Sequence, residues 1–305
     1  MIRFLLKRLL WTVLMLWLVA TVTFFIMRLA PGGPFDGERT LPDEIMANLR
    51  AAYKLDEPIW KQYVYWLGDA VQGDLGPSMS FRNHSVNDIL GQALPVSASL
   101  GLFALIVALM LGIIAGVIGA VRQNTAWDYS AMTVALIGIS IPNFILALFM
   151  IQLFVFGVPL FAPAGWSKMS HLLLPGFALA LPFAGRFARL TRSGMLDVIH
   201  QDYIRTARAK GLPESTVITK HALRGALLPT VSFLGPAAAG ILTGSLVIEK
   251  IFAIPGLGRH FVKAASDRDY TLVMGTTLLY FLLLALFNLL VDIAYAYLDP
   301  RIRYE

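Results

Sequence analysis

Residues 130–158 read SAMTVALIGISIPNFILALFMIQLFVFGV, 29 residues without one Asp, Glu, Lys, Arg or His. An α-helix rises about 1.5 Å per residue, so roughly 20 apolar residues cross the ~30 Å hydrocarbon core of a bilayer. This run therefore predicts a membrane-spanning helix. Five other segments read the same way: residues 9–29, 97–121, 172–190, 229–248 and 272–298. The composition agrees, with 57% hydrophobic and 14% charged residues and a mean hydropathy of +0.68 over 305 residues. The expected class is an all-α integral membrane protein with six transmembrane helices. Residues 9–29 follow Arg3, Lys7 and Arg8 as a secretory signal would, but the run is too long and lacks a small-residue cleavage site. It reads as a retained anchor.

Lys and Arg near span ends resist translocation, so their distribution orients the chain. With both termini in the cytoplasm, the cytoplasmic segments hold Arg3, Lys7, Arg8, Arg122, Arg186, Arg189, Arg192, Arg205, Arg208, Lys210, Lys220, Arg224, Arg301 and Arg303, fourteen of the 25 basic residues. The long segment from Pro31 to Pro95 then lies outside, with nine acids against five bases. Three regions follow: an N-terminal tail and first helix at 1–30, an extracytoplasmic segment with short helices at 31–96, and a five-helix core at 97–305 that includes a cytoplasmic loop at 192–228. The net charge of +6 and pI near 9.6 belong to this orientation and not to an aromatic-interleaved nucleic-acid patch.

Several chemistries are excluded. The chain has no cysteine, which removes disulfide frameworks, thiolate zinc sites and cysteine nucleophiles. GxxxxGK[ST], HExxH and GxSxG are absent, and His84, His171, His200, His221 and His260 lie in separate segments without ligand spacing. No catalytic, cofactor or metal residue is assigned. Charge is also missing from mid-membrane positions, where an ion-coupled carrier keeps ionisable groups. Asp292 reads as a hydrated helix end, and Arg28 as a cation snorkelling to the interface. A stand-alone secondary carrier is therefore disfavoured.

Gly112 with Gly116, and Gly240 with Gly244, stand four apart and predict close helix approach. Pro142, Pro182 and Pro236 interrupt apolar runs, and a proline frees a backbone carbonyl that must meet protein or a wet cavity. Ser140, Pro142, Asn143, Gln152, Ser232, Thr243, Ser245 and Asn288 are candidates for a translocation path; interhelical hydrogen bonding explains each singly as well. In the 31–96 segment Ile59, Tyr63, Trp66, Leu67 and Ala70 form one helical face after Pro58. Trp60, Tyr65 and Trp66 also suit a membrane interface. The expected result is a small outer cap.

One polar insert remains: YIRTARAKGLPESTVITKHALRGALLP at residues 203–229, basic and flanked by spans. Residues 203–210 predict a helix of about 12 Å. Gly211 is its left-handed cap, and Pro213 starts a second helix leading to the next span. Eight residues fold only when packed, and Ala207 with Gly211 offers a small face to a partner. A basic surface that holds anionic lipid is the equal alternative on these grounds.

Residues 205–211, RTARAKG, resemble the EAA loop of ABC importer permeases. Only Ala207 and Gly211 match the general pattern strictly, because Arg205 stands where that pattern has glutamate. TARAKGLP with the following HALRGALLP resembles the variant of the peptide and nickel importer branch. RLAPGGPF at 28–35, GERTLP at 37–42, GDLGPS at 73–78, IEKIFAIPGLG at 248–258, RDY at 268–270 and LDPRIRY at 298–304 are similar too. Together they resemble the B-type membrane subunits of oligopeptide permeases. The resemblance implies the type I ABC importer permease architecture in a bacterial inner membrane. It also implies a paralogous second permease, two cytoplasmic ATPases that carry ATP and Mg, and an extracytoplasmic peptide-binding protein. The ATPase-coupling residues it implies are Arg205, Thr206, Ala207, Arg208, Lys210 and Gly211. Dipeptides, nickel or another small solute are the alternative cargo.

Overall fold

The structure, a computed structural model, describes residues 2–29, 32–35, 42–81, 83–162 and 164–298. The expectations at 37–41, Asp292 and 299–304, and those at the side chains of Arg3, Thr243 and Gly244, lie outside the described residues. The elements are α1 (Ile2–Leu29), α2 (Asp43–Ala52), α3 (Ile59–Val71), α4 (Val86–Val121), α5 (Ala126–Ser140), α6 (Asn143–Ile151), α7 (Ser170–Ile199), α8 (Asp202–Ala209), α9 (Glu214–Thr216), α10 (Leu223–Ala226), α11 (Leu228–Ser232), α12 (Leu234–Ile251), α13 (Leu257–Ser266) and α14 (Tyr270–Leu298). Wider π-helical turns follow α6 at Gln152–Gly157 and α9 at Val217–Ala222. Among the described residues the only β-pairing is an isolated bridge between Pro77 and Ser85.

Five stretches are long and apolar enough to cross a membrane: Leu6–Leu29, Val86–Val121, Ser170–Ile199, Leu228–Ile251 and Tyr270–Leu290. The sixth apolar run, residues 130–158, is not one helix. It is the pair α5 and α6, bent by 104°. The break falls where the residue before a proline is disfavoured in the helical region, and Ile141 has φ −89° and ψ 125° ahead of Pro142. The other two prolines act differently. Pro182 lies inside α7, which runs on to Ile199, so the expected interruption there does not occur. Pro236 is the third residue of α12, where a backbone N–H has no helical partner to lose.

The chain divides into two compact units, Met1–Ser97 with Pro255–Ala285, and Ala98–Ile254 with Leu286–Glu305. In the first, Tyr63, Trp66, Leu67 and Ala70 of α3 pack with Ala20 and Phe24 of α1 and Met274 of α14. The face expected from the sequence is thus present, with Ile59 left 48% exposed at its edge. Trp66 is buried to 9% exposure, so it fills the cap instead of marking an interface, whereas Trp60 stays 63% exposed. Arg28 does not simply snorkel: its Nε donates to Gln62 Oε1 at 2.9 Å, and its guanidinium lies 3.6 Å from the Phe24 ring centroid. The stacked cation contributes about 0.5–2 kcal/mol.

The second unit is built round α7, of whose apolar window 67% is buried, against 11% for the window in α1. Small residues make this possible. A Cβ built on Gly116 would lie 2.6 Å from the Ala188 carbonyl oxygen, and one on Gly112 2.8 Å from that of Ala184. A Cβ on Gly240 would reach 2.8 Å from the Phe183 ring, and one on Gly138 3.0 Å from the Leu181 carbonyl. α4 and α5 therefore meet α7 almost backbone to backbone, as the Gly112 and Gly116 spacing predicts for α4, while Gly240 of α12 makes room for the Phe183 ring. At one end of this unit Arg192 of α7 grips Asp128 of α5, with Nε and Nη2 at 2.6 and 2.7 Å from the two carboxylate oxygens.

Candidate functional site

α8 forms because the chain around it supplies what eight residues lack. Gln201 is extended at φ −70° and ψ 151°, Asp202 occupies the first turn, and Thr206 returns its hydroxyl to the Asp202 carbonyl at 2.9 Å. An acid in the first turn complements the helix dipole. Ile204 and Ala207, three apart on one face, are buried at 0% and 6% exposure. They join a cluster with Ala120, Met195, Val217, Ala222 and Ala226. The small face at Ala207 is thus turned into the chain's own core, because an apolar surface this short is stable only when packed. The outward face is polar and basic: Arg205, Thr206, Arg208, Lys210 and Gly211 are all exposed.

Gly211 has φ +77°, and its N–H closes on the Arg208 carbonyl at 2.9 Å. A Cβ there would meet nothing within 4 Å. The glycine is therefore required by backbone conformation and not by crowding, and a side chain would cost about 1 kcal/mol in the left-handed region. Pro213, at φ −60° and ψ 139°, precedes Glu214 at the start of α9, as its place in the sequence predicts. The π-helical turn at Val217–Ala222 then leads through α10 and α11 into α12. Such turns are rare and concentrate at functional sites.

Two residues at this site take roles that composition alone does not signal. Arg208 reaches forward along the chain and forks onto Glu214, with Nε to Oε2 at 3.1 Å and Nη2 to Oε1 at 2.7 Å. Hydrogen bonding from Arg208 holds the Glu214 carboxyl below its ordinary value, and the same bonds raise Arg208 above its own. Arg205 makes only a loose contact with Asp202, at 3.4 Å between exposed side chains.

The path candidates are not gathered into one place. Ser140, Pro142 and Asn143 sit together at the break between α5 and α6, with Ser140 and Pro142 exposed and Asn143 half-buried. Gln152 is exposed where the π-helical turn begins. Ser232, exposed in α11, gives its hydroxyl to the Leu228 carbonyl at 2.8 Å. Ser245 is fully buried and donates to the Leu242 carbonyl at 2.7 Å. Asn288 is half-buried in α14.

Residues of three other quoted motifs, at 28–35, 73–78 and 268–270, meet in the first unit. Asp269, fully buried, accepts from the Ser78 hydroxyl, from the Ser80 N–H at 3.0 Å and from the Leu272 N–H at 3.0 Å, the last capping α14. Tyr270 donates to the Gly32 carbonyl at 3.1 Å, and Thr271 to the Pro77 carbonyl at 2.7 Å. Asn87 accepts from the Leu75 N–H at 2.9 Å and donates to the Gly73 carbonyl at 2.6 Å. Ser97 accepts from the Leu257 N–H at 2.8 Å. The segments around 32, 73–80 and 268–271 thus hold one another's backbone, and that at 257 is held by Ser97. Among the described residues no group of three or more His, Asp or Glu is arranged for a metal ion.

Residues 108–304 match the family described as binding-protein-dependent transport system inner membrane component, and residues 1–101 match the N-terminal family of the same membrane component. Over 306 residues, all of both chains, the sequence is 47% identical to the oligopeptide transport system permease protein OppB of Escherichia coli (strain K12). Over 303 residues, 99% of this chain and 98% of the other, it is 47% identical to the dipeptide transport system permease protein DppB of Bacillus subtilis (strain 168). A solved chain from inward-facing conformations of the MetNI methionine ABC transporter has a TM-score of 0.52 at 19% identity, covering 69% of this chain and 96% of that one. That likeness is one of fold.

Proposed function

We propose, from the premise that the chain belongs to the family of binding-protein-dependent transport system inner membrane components, that it is the B-type membrane subunit of an ATP-driven oligopeptide importer. It is a non-catalytic permease of the inner membrane. Full-length identity of 47% to an oligopeptide permease protein is the observation that carries the cargo. In this reading both termini and α8 face the cytoplasm, and the 31–96 segment faces the binding protein. A paralogous second permease completes the pathway, and two ATPase subunits hold ATP and Mg.

The outward face of α8 docks an ATPase through Arg205, Thr206, Arg208 and Lys210, while Ala207 and Gly211 fix the shape of the docked helix. The same basic face beside the membrane also attracts anionic lipid when no ATPase is seated. ATP binding draws the ATPases together and displaces α8; the apolar seams on α7 pass that displacement to α4, α5 and α12. Such coupling requires that the ATPase bind the two states with different free energies. The break at Ser140, Pro142 and Asn143, with Ser232, Thr243, Ser245 and Asn288, supplies uncharged polar groups for a neutral peptide backbone, and selection rests with the binding protein.

Replacing Gly211 with Trp tests the docking role. ATPase association and peptide uptake in membranes are expected to fall together, and two unchanged values would refute it. Dipeptide cargo is the second reading, supported by the equal identity to the Bacillus subtilis dipeptide permease protein. Uptake of dipeptides against pentapeptides by the reconstituted complex separates the two.

A further inference from the structure

We infer that Glu214 is a positioning residue that ties α8 to the helical run entering the next span, so that a load on α8 is transmitted and not lost in the intervening turn. The inference rests on the docking role proposed above for α8.

Only Lys210, Gly211, Leu212 and Pro213 separate α8 from α9. The backbone bonds near this link stay on one side of it or the other: Gly211 N–H reaches Arg208 at 2.9 Å, and Thr216 N–H reaches Pro213 at 2.9 Å. Left-handed glycine adds torsional freedom at the joint. The Arg208–Glu214 fork crosses it, at 2.7 and 3.1 Å. Two parallel charged hydrogen bonds fix orientation as well as distance, which a single bond does not. Arg208 also places Nη1 at 3.5 Å from the Ile199 carbonyl at the end of α7, so one guanidinium touches three consecutive segments. Beyond Glu214, Val217 and Ala222 are fully buried, and that anchors the run the fork is tied to.

The pair is half exposed, at 40% and 53% for the two side chains. An exposed pair adds little to folding, so its effect should appear in coupling and not in melting temperature.

The test uses the whole transporter in proteoliposomes, with Glu214→Gln, the conservative Glu214→Asp, and Gly211→Trp as reference. Three quantities are read: ATPase co-purification, ATP hydrolysis and peptide taken up per ATP. For Glu214→Gln, unchanged co-purification and at least about fivefold less peptide per ATP are expected, the lower end of typical coupling effects. Glu214→Asp keeps a carboxylate for Arg208 and should recover part of that loss. Unchanged peptide per ATP in Glu214→Gln overturns the tie, as does a loss in Glu214→Asp equal to that in Glu214→Gln, since the hold of a carboxylate on Arg208 would then not matter. If Gly211→Trp leaves co-purification intact, it is the docking reading that falls. If it abolishes co-purification while Glu214→Gln is silent, only the tie falls.

Discussion

α3 and α8 are both short amphipathic helices in polar segments between spans, yet only one is finished by its own chain. α3 places Tyr63, Trp66, Leu67 and Ala70 against α1 and α14, and adds two polar anchors, Tyr63 to the Thr21 hydroxyl at 2.7 Å and Gln62 to Arg28 at 2.9 Å. α8 commits two residues, Ile204 and Ala207, and turns its bases outward. The width of the apolar stripe separates a helix that serves the fold from one that also presents a surface. Substitutions in α3 should therefore change stability, and those on the outer face of α8 should change function at nearly constant stability.

The largest effect is expected at Trp66→Ala, which empties the cluster with Phe24 and Met274 and should cost about 3–5 kcal/mol. Thermal unfolding in detergent would measure it, and a loss below about 1 kcal/mol, the ordinary size of a mutational effect, would mean that α3 is as unfinished as α8. Next is Gly116→Leu in the seam between α4 and α7, expected to cost about 1–3 kcal/mol by overpacking. Its signature is a lowered melting temperature together with lost uptake, because the new side chain meets backbone at Ala188. Gly211→Ala should cost about 1 kcal/mol in the same melt, a conformational penalty without a clash. Arg205→Ala is the sharpest contrast: its stability change should stay within about 0.5 kcal/mol while ATPase co-purification drops.

The smallest effect concerns pH. The Glu214 carboxyl is held below its ordinary value by Arg208. A depressed acid contributes stability that is present above its unfolded pKa and lost only as pH falls through the folded one. Uptake per ATP should therefore be flat from neutral pH down to the ordinary carboxylate range near 4.5 and decline below it. Glu214→Gln should remove that decline. A decline already present near pH 6 would point to a histidine instead.

Apolar run length made the five long spans legible, and glycine spacing gave the α4–α7 seam. The 104° bend was not legible. Pro142 and Pro182 carry the same local signal, and packing decides that one opens a corner while the other stays inside a continuous helix. Likewise the sequence marks Ala207 as small but not which way it faces; Ile204, three residues back, decides that by needing burial. Asp269, which the sequence marks only as part of RDY, and Asp128 show no role there, because a carboxylate reveals its role only through distant donors, Ser78 and Ser80 for one and Arg192 for the other.

The corner at Pro142 has a consequence for how the protein is made. Residues 130–158 leave the ribosome before residues 170–199, and alone they form a continuous apolar stretch that a bilayer accepts as one span. Both arms of the corner pack against α7 in the finished chain. The bend therefore has no packing surface to hold it until α7 has been synthesised. Ribosome-bound chains truncated before and after α7 would differ in the accessibility of a label at position 140, beside the intact proline, and the sequence, having no cysteine of its own, allows that label to be placed singly.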